Sequence, residues 1–443
     1  MKKIITYGTF DLFHNGHLNI LKRAKAMGDY LIVGVTGEDY DLNRGKLNVS
    51  QPLMKRIENV RNTGLADEII VEEYFGQKVS DIQKYDIDTF VIGSDWQGKF
   101  DYLKEYCNVV YLERTKGVSS TELRNKKNSI LKVGIVGNGR IAQRFVKESK
   151  YVSGVNIECV YGRNPEHLES FASKFELSSF YTDYEQFLDS VDAVYIATPH
   201  HTHYEYAKQA ILHKKHVLCE KPMTLSKLQS QELFELANEN GVILQEAIKT
   251  AYAPCFTKLI NVAKSGIIGE LKDVSATFTK LVTDTTLREY DKTMCGGSVT
   301  ELATYPLCAI VKLLGTDYKD IKFDSFYDSK TNVDIYTKIN LIYENALATA
   351  TIGIGVKKEG DLVIAGTKGY IYVPAPWWKT EYFEIRFEDL SKTQKFFTKF
   401  DGDGLRYELA EFLHAINNGY NSYKFTDKES VCLAGIIENF LNL

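Results

Sequence analysis

Short apolar runs alternate with segments of helical spacing over the first 127 residues. The spacing over residues 18–27 predicts a helix. Buried strands are predicted for the apolar runs 3–7, 30–35, 89–93 and 108–112. Because strands that alternate with helices favour a parallel, doubly wound sheet, we predict an α/β fold for this segment.

The pattern begins again after the polar stretch 124–129, which we interpret as a short linker. The apolar run 131–137 predicts a strand that enters a glycine turn. From about residue 250, apolar and polar residues alternate, which indicates antiparallel strands with one solvated face. This alternation covers 273–279, 339–354 and 361–373, and helical spacing returns at 405–417 and 429–440. The last segment is therefore predicted to be α+β, with a large and mostly antiparallel sheet.

Composition narrows the class of protein. The chain has 443 residues, 44% of them hydrophobic and 25% charged, as in a globular protein of two or three domains. A net charge of -4 excludes a general field for nucleic acid, so phosphate must be bound by local sites. Seven scattered cysteines, without metal-ligand spacing, indicate free thiols, no metal site and a reducing cytoplasm. No signal peptide or apolar run of about 18 residues is found, so no membrane segment is expected.

Residues 8–17, GTFDLFHNGH, follow the first strand and open a helix. Helix N-termini bind phosphates through free N–H groups, and His14 and His17 are spaced to face one anion. Two surface histidines are the alternative, but the order of strand, glycines, Thr9 and helix favours a phosphate site. Such a site suits attack by a substrate phosphate on the α-phosphate of a nucleoside triphosphate.

A second segment, RTKGVSST at 114–121, adds a cation, hydroxyls and another predicted helix N-terminus. Alone it could be a capping segment, but paired with the first motif it favours a triphosphate site. Together with residues 28–31 and 92–100, these motifs make residues 1 to about 127 resemble the glycerol-3-phosphate cytidylyltransferase family. That family converts CTP and a polyol phosphate into a CDP-polyol and pyrophosphate, with Mg2+.

The resemblance implies roles for individual residues. His14 and His17 would stabilise the α-phosphate as catalytic residues. CTP would be bound by Thr9, Phe10, His14, His17, Lys46, Arg114, Thr115 and Ser119, with Arg44 a weaker match beside Lys46. The polyol phosphate would be bound by Asp11, Asp39 and Arg56, although Arg56 could contact the triphosphate instead. The acidic position near Asp39 could instead fall on Glu38, one residue earlier.

The segment Gly137-Asn138-Gly139-Arg140-Ile141-Ala142 directly follows a predicted strand and has the pattern of a dinucleotide fingerprint. We expect Gly137 to make the turn, Gly139 to admit the pyrophosphate and the residues after it to open the helix. The next strand ends in Tyr161-Gly162-Arg163-Asn164, without the acidic residue that binds a ribose diol. Arg163 therefore favours NADP over NAD, although it could also stack on adenine or lie in solvent.

Two later strands end in Ala197-Thr198-Pro199 and in Glu220-Lys221-Pro222. The carboxyl ends of parallel strands are where such sheets bind ligands, so Lys221 could polarise a substrate hydroxyl or carbonyl. A surface ion pair between Glu220 and Lys221 is the alternative. With His203 and the stretches at 137–142, 296–306, 366–369 and 374–377, these segments make residues 131–443 resemble the family of glucose–fructose oxidoreductase, inositol dehydrogenase and MocA proteins.

That resemblance implies hydride transfer between nicotinamide and a sugar or polyol carbon. Lys221 would be the catalytic lysine, and the second acid or base would lie within Glu301–Tyr305. Many members have Asp where Glu301 stands, so we prefer Tyr305, expecting the nearby lysine to lower the pKa of its phenol. Packing is the alternative role for Tyr305. The expected cofactor-binding residues are Gly137, Gly139, Arg140, Ile141, Arg163, Thr198, Glu220 and Lys221.

The sequence therefore predicts three domains: a cytidylyltransferase domain at 1–127, a Rossmann NAD(P)-binding domain at 131–250 and an α+β substrate and oligomerisation domain at 251–443. We hypothesise that the second enzyme makes the polyol phosphate that the first activates, in a homo-oligomer whose partners are CTP, polyol phosphate and sugar phosphate. Three alternatives stay open: the oxidoreductase acts on the CDP-polyol, it is a non-catalytic NADP-binding module, or the first domain uses ATP or another nucleotide.

Overall fold

The computed structural model describes residues 1–37, 49, 51–73, 76–113 and 130–443. The chain divides into two compact units. The first comprises Met1–Leu131 with Lys150–Val155, and the second comprises Lys132–Ser149 with Asn156–Leu443.

The first unit is built on a five-stranded parallel sheet in the order β3-β2-β1-β4-β5. Its strands are β1 Lys3–Gly8, β2 Tyr30–Thr36, β3 Glu68–Glu72, β4 Thr89–Gly93 and β5 Asn108–Leu112. Its described helices are α1 Asn15–Lys25, α2 Leu53–Arg61 and α3 Gln77–Tyr85, with short 3-10 turns at Ser94–Trp96 and Asp101–Glu105. Because the strand order reverses at β1, the carboxyl end of β1 opens the crevice where such sheets bind ligands.

Side chains of β1 point alternately to the two faces of the sheet and pack in the hydrophobic core on each face. Ile4 packs with Leu21 of α1 and Val60 of α2 on one face, while Ile5 packs with Ile82 of α3 on the other. Successive strand side chains point to opposite faces, so a run of apolar residues is what a sheet covered on both sides requires.

The second unit begins with a six-stranded sheet in the order β11-β10-β9-β6-β7-β8, whose described pairings are parallel. Its strands are β6 Leu131–Val136, β7 Val155–Tyr161, β8 Ser179–Tyr181, β9 Ala193–Ile196, β10 His216–Glu220 and β11 Leu244–Ala247. Its helices are α4 Arg140–Ser149, α5 Pro165–Phe175, α6 Tyr184–Asp189, α7 His203–Leu212 and α8 Lys227–Asn240, with a 3-10 turn at His200–Thr202. The strand order reverses at β6, which places a second ligand crevice at its carboxyl end.

An eight-stranded sheet follows in the order β13-β14-β15-β12-β16-β17-β18-β19. Its strands are β12 Leu271–Thr279, β13 Asp320–Tyr327, β14 Asp334–Ile342, β15 Leu347–Gly353, β16 Leu362–Gly366, β17 Tyr370–Val373, β18 Tyr382–Arg386 and β19 Gln394–Phe397. The helices of this part are α9 Lys249–Tyr252, α10 Pro254–Lys264, α11 Ser298–Leu302, α12 Thr304–Leu314, α13 Leu405–Asn418 and α14 Asp427–Leu441. Short 3-10 turns lie at Arg288–Tyr290, Lys292–Met294, Trp377–Lys379 and Leu390–Lys392.

The predicted fold class is confirmed, including the mostly antiparallel character of the last sheet, in which β12 and β15 form the parallel pair. The long alternating stretches are hairpins. Residues 339–354 contain the last four residues of β14 and all of β15, and residues 361–373 contain β16 and β17. Apolar and polar residues continue to alternate through a tight turn, so this periodicity alone did not show where one strand ends and the next begins.

Among the described residues, no single helix is long and apolar enough to cross a membrane. One bent pair, Lys292–Leu302 with Thr304–Leu314, meets the length and composition criteria at a bend of 44°. Leu307 and Ile310 of this pair are fully buried within the unit, as in an apolar core helix.

Candidate active sites

The first site is shaped by a strained turn at the end of β1. Phe10 and Leu12 both adopt left-handed backbone conformations, with φ of 52° and 44°. Non-glycine residues adopt this conformation at a cost of about 1–2 kcal/mol each, which the surrounding packing must offset. Phe10 is buried in the core against α1, so packing fixes the turn and places His14 as the N-cap of α1.

His14 and His17 stack at the start of α1. Their ring centroids are 3.9 Å apart and their planes differ by 22°. The Gly16 N–H donates to His14 Nδ1 at 3.0 Å, so a neutral His14 carries its proton on Nε2. Gly16 is required here, since a Cβ would lie 2.8 Å from the His14 ring. The two imidazoles and the backbone N–H groups at the start of α1 can therefore receive one anion together.

Arg56 and Asp11 tie the loops around the histidines. The Arg56 guanidinium is fully buried and donates to three backbone carbonyls: those of Thr9 at 2.9 Å, Thr36 at 2.7 Å and Gln51 at 3.0 Å. Asp11 accepts a bond from the Gln51 N–H at 2.9 Å. The polyol-phosphate role of these two residues stays a prediction. Arg56 ties the carboxyl ends of β1 and β2 to the segment before α2, and Asp11 ties the loop after β1 to that same segment.

Several predicted residues lie outside the described part of the chain. They are Glu38, Asp39, Arg44, Lys46, Arg114, Thr115 and Ser119. Their assignments to CTP and polyol phosphate therefore stay predictions.

Sequence reasoning missed a buried polar cluster beside this site. The Tyr7 hydroxyl donates to Asp81 Oδ2 at 2.7 Å, and Lys78 forms an ion pair with Glu72. Burial raises the pKa of Tyr7 well above its usual value, and the bond to Asp81 adds to this. Gln77, Lys78 and Asp81 share the inner side of α3, so a polar stripe on the buried face of this helix is the signal that could have indicated the cluster.

The second site begins at the glycine turn after β6. Gly137 has φ of 99°, and a Cβ there would lie 2.9 Å from the Ala197 carbonyl oxygen. No atom lies within 4 Å of the Cβ position at Gly139, whereas Ala142 is fully buried where α4 packs on the sheet. The turn, the open approach and the close helix packing are the three features that a dinucleotide pyrophosphate needs at a helix N-terminus.

A cavity of about 670 Å³ extends from this turn to the strand ends and the last sheet. It is lined by all of the predicted cofactor-binding and catalytic residues of this unit: Gly137, Gly139, Arg140, Ile141, Arg163, Thr198, Glu220, Lys221 and Tyr305. Arg163 is exposed just past the end of β7 and forms no ion pair with any residue that the structure describes.

Lys221 is held at the centre of this cavity. Its Nζ donates to the Glu301 carbonyl oxygen at 2.9 Å and lies 5.6 Å from the centroid of the Tyr305 ring. Glu220 is buried and accepts bonds from the Tyr195 hydroxyl at 2.6 Å and from the Lys221 N–H at 3.2 Å. Burial raises the pKa of Glu220, and the Lys221 charge opposes this. The alternative of a surface ion pair is therefore wrong for this segment.

The expected lowering of the Tyr305 pKa is also wrong. Burial raises the pKa of Tyr305 well above its usual value, and the carboxylates of Glu220, Glu408 and Glu301 raise it further. A nearby lysine alone would lower the pKa, but burial, and after it the three acidic side chains, outweigh that effect. Tyr305 is thus a neutral phenol, able to donate a proton but not to act as a phenolate base at neutral pH.

The structure adds residues that sequence reasoning missed. His200 is buried in the cavity wall, and Arg288 pairs with Glu301 at 3.0 and 3.1 Å. Glu408 of α13 is fully buried, and neither of its carboxylate oxygens has a hydrogen-bond partner among the described residues. Burial, then the neighbouring Glu220, raises the pKa of Glu408 well above its usual value. None of these positions belongs to a local motif, so only the fold assembles them.

His203 fixes the strand ends in place. Its two ring nitrogens lie 2.9 Å from the carbonyl oxygens of Pro222 and Thr198. Burial lowers the pKa of His203 to about 4, although both carbonyls favour the protonated ring. The side chain is fully buried and links the ends of β9 and β10, and it also lines the cavity that contains Lys221.

Family models match three parts of the chain. A cytidylyltransferase-like model matches residues 5–126, a model of an oxidoreductase family with an NAD-binding Rossmann fold matches 131–248, and a GFO/IDH/MocA C-terminal domain model matches 256–372.

Individual proteins match the same two regions. Glycerol-3-phosphate cytidylyltransferase of Bacillus spizizenii is 52% identical over 130 residues, which are 29% of this chain and 100% of that protein. An NADP(+)-dependent scyllo-inositol 2-dehydrogenase of Bacillus subtilis is 27% identical over 317 residues, covering 70% of this chain and 95% of that protein. A 3-ketoreductase structure from Actinomadura kijaniata shares the fold at a TM-score of 0.63 and 22% identity, covering 70% of this chain and 97% of that one.

Proposed function

Because the N-terminal part of this chain belongs to the glycerol-3-phosphate cytidylyltransferase family and the remainder belongs to the GFO/IDH/MocA oxidoreductase family, we propose that its two active sites make one CDP-polyol in successive steps. The chain is a nucleotidyltransferase and an NAD(P)-dependent oxidoreductase. The proposal concerns the substrate that connects them: a keto or aldehydo sugar phosphate, reduced to an alditol phosphate and then cytidylylated.

In the first site, an oxygen of the alditol phosphate attacks the α-phosphorus of CTP. The new P–O bond forms as the bond to the bridging oxygen breaks, and pyrophosphate leaves. His14 and His17 are placed to stabilise the charge that develops on the α-phosphate oxygens. Mg2+ would enter the site bound to the phosphate oxygens of CTP, since Mg2+ commonly binds through substrate phosphates.

In the second site, a nicotinamide cofactor held at Gly137, Gly139 and Arg163 would supply or accept a hydride at the substrate carbon. Lys221 and Tyr305 hold the proton that accompanies it: on reduction, the carbonyl oxygen receives a proton from one of them and becomes a hydroxyl. The Glu301 carbonyl orients the Lys221 ammonium group toward this oxygen. The raised pKa keeps Tyr305 protonated, which suits a donor in the reductive direction.

We propose NADP(H) as the cofactor. Arg163 occupies the position at which an acidic residue would bind the ribose diol of NAD. Its side chain is exposed and lines the same cavity as the glycine fingerprint. The scyllo-inositol dehydrogenase relative is described as NADP(+)-dependent.

A surplus of cations supports a phosphate-bearing substrate for the second site. Positive side chains in the cavity wall are Arg140, Arg144, Arg163, Lys221, Lys249, Lys280 and Arg288, against Glu220, Glu289, Glu301 and Glu408.

The observation that carries the proposal is that both sites lie on one chain: the first family consumes an alditol phosphate, and the second interconverts carbonyl and hydroxyl groups.

The test is a substrate panel on the full-length chain. CTP, Mg2+, NADPH and a series of ketose and aldose phosphates are supplied, and NADPH oxidation and pyrophosphate release are measured together. We expect one sugar phosphate to consume NADPH and then release pyrophosphate, with Lys221→Ala abolishing both events and His17→Ala abolishing the second alone. If NADPH is consumed only by compounds that never become CDP adducts, the proposal fails. Faster reduction of a preformed CDP-linked ketose would reverse the order of the steps.

A further inference from the structure

His200 occupies a distinctive place in the wall of the oxidoreductase cavity. It opens the 3-10 turn His200–Thr202 directly after Pro199, at the carboxyl end of β9, and its side chain is 5% exposed. The same cavity is lined by Lys221 and Tyr305, which act on the substrate in the proposed reaction. His200 follows Thr198 and Pro199, whose carbonyl oxygens lie within hydrogen-bond distance of the His203 ring and the Thr202 hydroxyl.

One edge of the His200 ring faces a fixed carboxylate. His200 Nδ1 lies 3.9 Å from Glu301 Oε1, and it has no hydrogen-bond partner among the described residues. Arg288 Nη2 holds both carboxylate oxygens of Glu301, at 3.0 and 3.1 Å. A negative charge beside Nδ1 favours the tautomer with its proton on Nδ1, which leaves a lone pair on Nε2. His200 lines the cavity, and Nδ1 is the ring nitrogen that is fully buried, which leaves Nε2 to face the cavity.

The ring is neutral in this setting. Burial lowers the pKa of His200 well below its usual value, and the positive charges of Lys221 and Arg288 lower it further, together with the neighbouring imidazoles of His203 and His201. A neutral imidazole with a free lone pair accepts a hydrogen bond from an O–H group. It cannot serve as a cation for a phosphate.

We propose that His200 binds the hydroxyl group on the carbon next to the reacting carbon. The substrates of the second site are then α-hydroxy carbonyl compounds, and its products are vicinal diols. Lys221 donates a hydrogen bond to the oxygen of the reacting carbon, while His200 accepts a hydrogen bond from the neighbouring O–H. Glu301 and Arg288 hold His200 in the tautomer that can accept this bond. This assignment rests on the proposed function, whose sugar phosphates it narrows to those with a free hydroxyl beside the carbonyl.

The test compares two substrates that differ by one hydroxyl. Dihydroxyacetone phosphate has a free hydroxyl beside its carbonyl, and hydroxyacetone phosphate has a methyl group there. A longer ketose phosphate and its 1-deoxy analogue form a second pair. We expect His200→Phe to lower kcat/KM for the hydroxylated member by about 10- to 100-fold, chiefly through KM, and to leave the deoxy member unchanged. His200→Gln, which places a polar atom near the Nε2 position, should recover most of the loss.

Matched controls separate this role from a structural one. His201 is the exposed neighbour on the same turn and does not line the cavity, so His201→Phe should match the wild type on both substrates. NADP+ affinity, measured by fluorescence titration, should be unchanged in His200→Phe. Weaker NADP+ binding, or an equal loss on both members of a pair, would overturn the proposal and assign His200 to the cofactor or to folding.

The failure of the proposed function would look different. If the wild type reduces no sugar phosphate, that function fails. Hydroxyacetone and acetone then still test His200, because they differ by the same hydroxyl and carry no phosphate. A wild-type enzyme that reduces both members of every pair equally well would overturn the His200 assignment alone. Cytidylyl transfer, which uses the other unit, should be the same in every His200 variant.

Discussion

Replacement of Arg56 tests whether the cytidylyltransferase site is held together by this buried side chain. Its guanidinium bonds to the carbonyl oxygens of Thr9, Thr36 and Gln51, which belong to three separate loops or strand ends. Methionine has a similar length but no donor, so Arg56→Met removes all three bonds from a side chain that is fully buried. Arg56→Lys keeps the positive charge but loses the planar guanidinium group, whose several N–H donors reach separate carbonyl oxygens.

The magnitude follows from the burial. Hydrogen bonds from a charged group contribute about 1.5–3 kcal/mol each and are not additive, so Arg56→Met should lower the free energy of unfolding of the first unit by roughly 3–5 kcal/mol. For a unit of this size, 1 kcal/mol corresponds to about 4 °C in Tm, which predicts a fall of roughly 12–20 °C. Arg56→Lys should lose less than half of this amount.

The assay is residual activity after brief heating, measured for both reactions on the same sample. Cytidylyl transfer should be lost at the lower temperature in Arg56→Met, while NADPH oxidation, which depends on the other unit, keeps its wild-type midpoint. The refuting result is a Tm within about 2 °C of wild type together with a raised KM for the polyol phosphate. Arg56 would then act on the ligand and not through the loops.

Four further outcomes are expected. Gly137→Ala should weaken NADP+ binding by about 10-fold or more in a fluorescence titration without changing cytidylyl transfer, because its Cβ would lie 2.9 Å from the Ala197 carbonyl oxygen at a φ of 99°. Lys221→Met should lower kcat for hydride transfer by about 10²- to 10⁴-fold in steady-state assays, with NADP+ affinity kept. Arg163→Asp should shift the ratio of kcat/KM values from NADPH toward NADH by about 10- to 100-fold, and an unchanged ratio would contradict the NADP assignment. Burial raises the pKa of Glu246 from 4.5 to about 7. Its neutral form therefore stabilises the fold below pH 4.5, and this contribution of about 3 kcal/mol is lost as the pH rises to 7. The free energy of unfolding of Glu246→Gln, measured with urea, should lack that pH dependence.

The sequence was most informative where the chemistry is local. The His14 and His17 motif, the Gly137 turn and the Lys221 segment each occupy a few consecutive residues after a strand, so spacing and a family resemblance were enough to place them. The helix predicted for 405–417 is observed as α13, Leu405–Asn418, because an apolar stripe at helical spacing packs the same way in most settings.

Long-range electrostatics could not be predicted in this way. Burial raises the pKa of Tyr305, and Glu220, Glu408 and Glu301, which lie on β10, α13 and α11, raise it further. Glu220 and Glu408 are separated by almost two hundred residues, and no periodicity relates them. The direction of a pKa shift depends on which charges the fold brings near a group, so a single favourable neighbour in the sequence was misleading.

This contrast also determines how the second site must be tested. His200, Glu301 and Arg288 act as a set, since Arg288 fixes the carboxylate that selects the His200 tautomer. Single substitutions in such a set are not additive, and a double-mutant cycle measures their coupling. If Glu301 acts on the substrate hydroxyl through His200, Glu301→Gln should lower kcat/KM in the wild-type background by more than it does in His200→Phe. Glu301 also holds Lys221, but through its backbone carbonyl, which the substitution retains. Equal effects in both backgrounds would therefore mean that Glu301 and His200 act independently. Glu301 would then not select the tautomer in which His200 binds the substrate.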